Sequence, residues 1–133
     1  MIYHIATHDD WQEAIENGIY FCESLESEGF IHCSTLEQVI PVANRFYRGQ
    51  KDLLLLAIDE KEVNSPVQFD EVPDSEEKFP HVYGPIDSIG IKRAVPFPPD
   101  DSGYFSMPSV LSTPAWWQQK ALAEFTQQEW ESV

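Results

Sequence analysis

Residues 53–58 read LLLLAI, six apolar residues closed on both sides by Asp52 and Asp59. Such a run has no polar face to give to water. It is far too short to cross a bilayer, which takes roughly 20 apolar residues. It is also shorter than an ordinary buried helix. A run of this length between turn-forming residues is a strand buried on both sides. A strand of that kind sits in the middle of a sheet, and something must cover the sheet above and below. This requirement constrains the rest of the chain more than any other feature.

The flanking segments can supply the cover. At 133 residues the chain suggests one domain, which buries roughly two thirds of its unfolded surface. Ile2–Thr7 alternates like a first strand. Asp9 and Asp10 then open a helix with Trp11, Ala14 and Ile15 on one face, stopped by Gly18. Ile19–Cys22 reads as a brief strand, Glu23–Gly29 as a loop, and Gly29–Cys33 as another strand. Ser34 and Glu37 have capping-box spacing, so a helix is expected from there to about Gly49, with a kink or break at Pro41.

Asp59–Lys78 is acidic and reads as a solvated excursion around one strand, Pro66–Phe69, with Asp70–Glu77 as exposed loop. In FPHVYGP the prolines and glycine predict a turn, followed by a strand from about Ile86 to Val95. Residues 1–97 thus form one domain. Residues 98–133 form a proline-rich connection and a C-terminal helix, which begins at Thr113–Pro114 and carries Trp117, Ala121 and Phe125 on one face. That helix is expected to pack on the domain or on a partner chain, the latter giving a homodimer. The irregular alternation of strands and helices points to the α+β class.

Charge narrows the partners. With 23 acidic and 8 basic residues the formal net charge is -15. That field repels duplex nucleic acid and anionic membranes. Two cysteines, Cys22 and Cys33, make neither a disulfide framework nor a zinc motif. The N-terminal MIYHIATHDD shows no basic region leading into an apolar run, so no signal peptide is read and the cytoplasm is the expected compartment.

The chemistry gathers at EGFIHCST, where a strand becomes a helix. Side chains alternate along a strand. His32 and Ser34 therefore share one face with Phe30, while Cys33 packs behind with Ile31. A histidine beside a helix N-terminus can bind an anion and move protons near neutral pH. His81, fixed between Pro80 and Gly84–Pro85, and Tyr83 two residues on are a second candidate pair. His4 on the first strand is a third contribution. Arg45 and Arg48, three apart and near Lys51, are the one basic cluster and are candidates for a phosphate contact. Among His4, His32 and His81 no pair has local metal-ligand spacing, so no metal ligand is assigned.

Taken together, IYHIAT, GFIHCST, VANRFYRG, LLLLAID and FPHVYGPI resemble the small bacterial domain-of-unknown-function family numbered 952, over roughly Met1 to Phe97. More distantly, IYHIAT and GFIHCSTLEQVIPVANRFY resemble the ADP-ribosyltransferase superfamily. That likeness implies a split mixed or antiparallel β-sheet with short flanking helices, to which this chain adds its C-terminal helix. It also implies NAD as a cofactor, His4 on a ribose hydroxyl, and Phe30 to Thr35 lining a nicotinamide pocket. The superfamily's catalytic glutamate has no counterpart in PHVYGPI, where His81 or Tyr83 stands instead.

The expected function is binding of a nucleotide or phosphorylated small molecule in a histidine-lined cleft, with a group-transferase activity. His32 and His81 would be the catalytic groups, and His4, Ser34, Thr35, Tyr83, Arg45 and Arg48 the ligand contacts. The alternatives from other classes are a non-catalytic interaction module using the Trp-rich C-terminal helix and a histidine-ligated zinc hydrolase.

Overall fold

A computed structural model describes residues 1–112. In chain order its elements are β1 (Ile2–Thr7), α1 (His8–Asn17), β2 (Ile19–Tyr20), α2 (Glu23–Ser27), β3 (Ile31–His32) and α3 (Leu36–Phe46). They continue with β4 (Leu53–Ile58), β5 (Val67–Glu71), β6 (Lys78–Val82), β7 (Ile86–Asp87) and β8 (Ile91–Pro96). The fold is α+β, and every strand pairing among the described residues is antiparallel.

The LLLLAI run is β4, the central strand of a β1-β4-β8 sheet, and all six residues are buried. Its alternating side chains feed two separate cores. Leu54, Leu56 and Ile58 pack with Ile2, Trp11 and Tyr20 on one face. Leu53, Leu55 and Ala57 pack with Tyr3, Val39, Ala43 and Phe97 on the other. The sheet is covered on both faces, as a strand without a polar face requires.

β3, β6 and β5 form a second sheet in the order β3-β6-β5. The two sheets touch at one isolated bridge, where Tyr3 and Ser34 exchange both backbone hydrogen bonds at 2.8 Å. Pro80 accounts for the parting. The Cys33 N–H donates to the Pro80 carbonyl at 3.0 Å, but Pro80 has no N–H to return. Pairing of the third strand with β6 therefore lapses after His32, and the chain crosses to β1.

Several sequence expectations shift. Glu23–Gly29 is not all loop. Five of its residues form α2, closed by the Ser24 hydroxyl donating to the Phe30 carbonyl at 2.8 Å. So short a helix has no apolar stripe to announce it. The α3 cap is Thr35 with Gln38, one residue later than expected, because Ser34 is still extended in its bridge to Tyr3. Pro41 lies inside one continuous helix rather than between two. FPHV is the strand β6, not a turn. The expected strand Ile86–Val95 is divided by a short 3-10 turn, because β7 pairs with β2 while β8 pairs with β4.

The connection after residue 97 is stitched to the domain as far as Leu111. Asn44 Oδ1 accepts from the Phe105 N–H at 2.7 Å, the Phe97 and Phe105 rings stack at 4.9 Å, and Leu111 is buried. The predicted C-terminal helix, its tryptophans and the dimer contact they suggested lie outside the described residues. Among the described residues no helix is long and apolar enough to cross a membrane.

Candidate functional site

His32 and His81 stand directly opposite each other in the β3–β6 register. Opposed residues share a face of the sheet, and the two rings lie edge to face with centroids 5.3 Å apart. Phe30 stacks on His81 at 4.1 Å, nearly parallel. His81 is fixed further from β5. Its Nδ1 lies 2.9 Å from Asp70 Oδ2, and the Tyr83 hydroxyl donates to the same oxygen. A carboxylate can only accept here, so His81 carries its proton on Nδ1 and leaves Nε2 as the remaining nitrogen. His81 is only 3% exposed, so the ring has little freedom to reorient.

His32 differs. Its Nε2 meets Glu28 Oε2 at 2.8 Å, with both side chains about half exposed. Its Nδ1 has no partner among the described residues. The hydrogen bond from Tyr83 is the largest influence on Asp70. Helped by His81 and opposed by desolvation, it holds that carboxyl below the usual carboxylate range. The same bond raises the Tyr83 hydroxyl.

His32 and His81 line one wall of a cleft of about 650 Å³. Tyr3 and Ile5 of β1 form its floor with Ser34, the far half of α3 forms a second wall, and the β5–β6 turn closes a third. Ser34 is 6% exposed, and its hydroxyl has no hydrogen-bond partner among the described residues. Arg45 brings its guanidinium to the α3 side, 5.0 Å from the Phe46 ring centroid.

The structure divides the other expected residues. Arg48 lies past the end of α3 and covers the Tyr104 ring at 4.0 Å, so it does not join Arg45 in the cleft. The side chain of Thr35 caps α3, taking the backbone N–H three residues on. His4 alternates away from Tyr3 and Ile5 and lies behind the cleft. Its Nδ1 is 2.6 Å from the His32 carbonyl and its Nε2 is 2.7 Å from the Tyr20 hydroxyl. The carbonyl can only accept, so Nδ1 donates, and Tyr20 donates to Nε2. Burial pushes the His4 pKa down to about 4, so the ring is neutral at pH 7. It occupies the gap where the two sheets part. Burial likewise raises the Cys33 thiol far above its ordinary range, which leaves it inert as a nucleophile.

Sequence reasoning missed Glu28 and Asp70, the carboxylates that hold the two histidines. The acidic composition predicts solvated loop at Asp70, yet VQFDE alternates with period two, and that pattern places Gln68 and Asp70 on one side of a strand. Among the described residues no three His, Cys, Asp or Glu side chains are grouped to hold a metal ion.

A paired-histidine wall over a cleft on a split antiparallel framework defines a small α+β protein with a preformed ligand-sized cavity. The chain belongs to the family described as protein of unknown function (DUF952), whose profile matches residues 5–94. No curated protein matches it. The crystal structure of protein CC0527 from Caulobacter crescentus is similar, with a TM-score of 0.75 and 26% identity over 84% of this chain and 98% of that one. The solution NMR structure of CC0527 gives a TM-score of 0.63 and 27% identity over 86% and 96%.

Proposed function

We propose that this protein binds a nucleotide or a related phosphorylated small molecule in the cleft beside His32 and His81, and that the two histidines move protons on it. One observation carries the reading. Two histidines from different strands face the same cavity, and each is held by its own carboxylate. Structural histidines rarely need such holders. Proton-transferring ones do, because the second hydrogen bond selects tautomer and orientation.

The cleft volume lies in the usual range for small-molecule sites. Arg45 and the Ser34 hydroxyl supply donors for an anionic group. The parting of the β1-β4-β8 and β3-β6-β5 sheets supports an ADP-ribosyltransferase-like arrangement, with NAD among the ligands to test. Both carboxylates beside the histidines are already engaged, which favours transfer of a group other than ADP-ribose. The cytoplasm, where nucleotides are abundant, is the compartment this reading fits.

The test is a thermal-shift titration with AMP, ADP, ATP and NAD on wild type and on His32→Ala. A ligand at 100 times its dissociation constant stabilises by about 2.7 kcal/mol, several degrees for a domain of this size. A shift that weakens in the variant supports the reading. No shift with any of the four sinks it.

A further inference from the structure

Each cleft histidine has one ring nitrogen on a carboxylate and one left over. For His81 the spare atom is Nε2, and it is not among the fully buried unpaired atoms, so it retains access to the cavity. For His32 it is Nδ1. Two spare imidazole nitrogens on neighbouring rings suit a displacement in which one oxygen arrives and another leaves.

The geometry points to hydrolysis of a small phosphodiester, with His81 as general base and His32 as general acid. This rests on the nucleotide-binding reading above. His81 is buried, its tautomer is fixed by Asp70, and its spare nitrogen is a lone pair. His32 is half exposed and open to solvent. Nε2 of His81 takes a proton from water as the water oxygen bonds to phosphorus. The bond from phosphorus to the leaving oxygen breaks, and that oxygen takes the proton from His32 Nδ1. The products are a phosphomonoester and an alcohol. His81 then returns a proton to solvent and His32 regains one.

The surroundings suit this substrate. Glu28 and Asp70, which would otherwise repel an anion, are each hydrogen-bonded to a histidine. Ser34 lines the cleft, and its hydroxyl can donate to a phosphoryl oxygen there. Arg45 offers the charge. The net charge of -15 keeps the substrate small by repelling polyanions. Asp74 and Glu77 also line the cleft, from the β5–β6 turn, and Arg45 is the lining cation that offsets them.

The full chain, purified in EDTA, is incubated with 2′,3′-cyclic AMP and with bis(p-nitrophenyl) phosphate, and the products are followed by phosphorus NMR. Turnover with a bell-shaped pH profile is expected. His81→Gln should remove the acid limb and His32→Gln the alkaline limb, each with a loss of about 10²–10⁴-fold. His32 is half exposed, so its variant stays folded and carries the test even if the His81 variant does not. If neither phosphodiester is cleaved while AMP still gives a thermal shift, the phosphodiesterase inference is overturned and the binding reading stands. No cleavage and no shift overturns both. Cleavage that survives both substitutions also overturns the inference.

Discussion

The two three-stranded sheets are made from opposite materials. In the β1-β4-β8 sheet the central strand is apolar on both faces and is covered on both. In the β3-β6-β5 sheet the central strand is apolar on one face only. Val82 joins the core, while Phe79, His81 and, just past its end, Tyr83 look the other way. A two-sided strand leaves no room for chemistry, since any polar group there would be buried without water. A one-sided strand has a free face on which ionisable groups can be held by one another. Stability is therefore expected to reside in the first sheet and reactivity in the second.

The largest expected effect tests the stability half of that contrast. Leu55→Ala in β4 should cost about 2–5 kcal/mol in urea unfolding, because it empties a fully buried site. Phe69→Ala on the exposed edge of β5 should cost less than about 1 kcal/mol. Equal losses would break the contrast.

Next is the joint between the sheets. The folded protein keeps His4 neutral with a pKa of about 4, against 6.5 in the open chain. Below pH 6.5 the unfolded state binds a proton that the folded state refuses, so stability falls as pH drops. This one group accounts for roughly 3 kcal/mol by pH 4. His4→Gln keeps a donor and an acceptor but cannot titrate. Urea melts at pH 7, 6, 5 and 4 should show a shallower decline for the variant. Parallel curves would mean that the acid sensitivity comes from elsewhere.

A smaller effect belongs to the second sheet. Asp70→Ala removes the hydrogen bond that raises the Tyr83 hydroxyl and the acceptor that fixes the His81 tautomer. Tyr83 should then titrate nearer the ordinary tyrosine range in an ultraviolet pH titration, and nitrogen NMR should show His81 as a mixture of tautomers. Global stability should change little. A large stability loss would mean that β5 carries structural weight the contrast denies it. Smallest of all, Arg48→Ala should cost about 0.5–1 kcal/mol in the same urea assay, the value of an exposed cation over the Tyr104 ring.

Legibility in the sequence followed the same division. The β4 run, the Ile2–Thr7 strand and the α1 helix with its Gly18 stop were readable because one periodicity or one unbroken run governs each. The histidines were readable as candidates from residue type. Their holders were not, because Asp70 and His81 are 11 positions apart and meet only through strand pairing. The superfamily resemblance makes His4 a ribose contact, but neither it nor residue type says which face of β1 meets the cleft. That depends on where Pro80 withdraws a hydrogen bond, and no local pattern encodes it.

The outer edge of β5 has a further consequence. Among the described residues it is the unpaired margin of its sheet, and Phe69 there is half exposed beside Asp70 and Glu71. Open strand margins recruit other strands and seed aggregates unless charge keeps them apart. Asp70 therefore bears on crowding as well as on the orientation of His81. The carboxylate that orients His81 also helps keep neighbouring copies from zipping onto the sheet, so this position is answerable to solubility whatever the cleft turns out to hold.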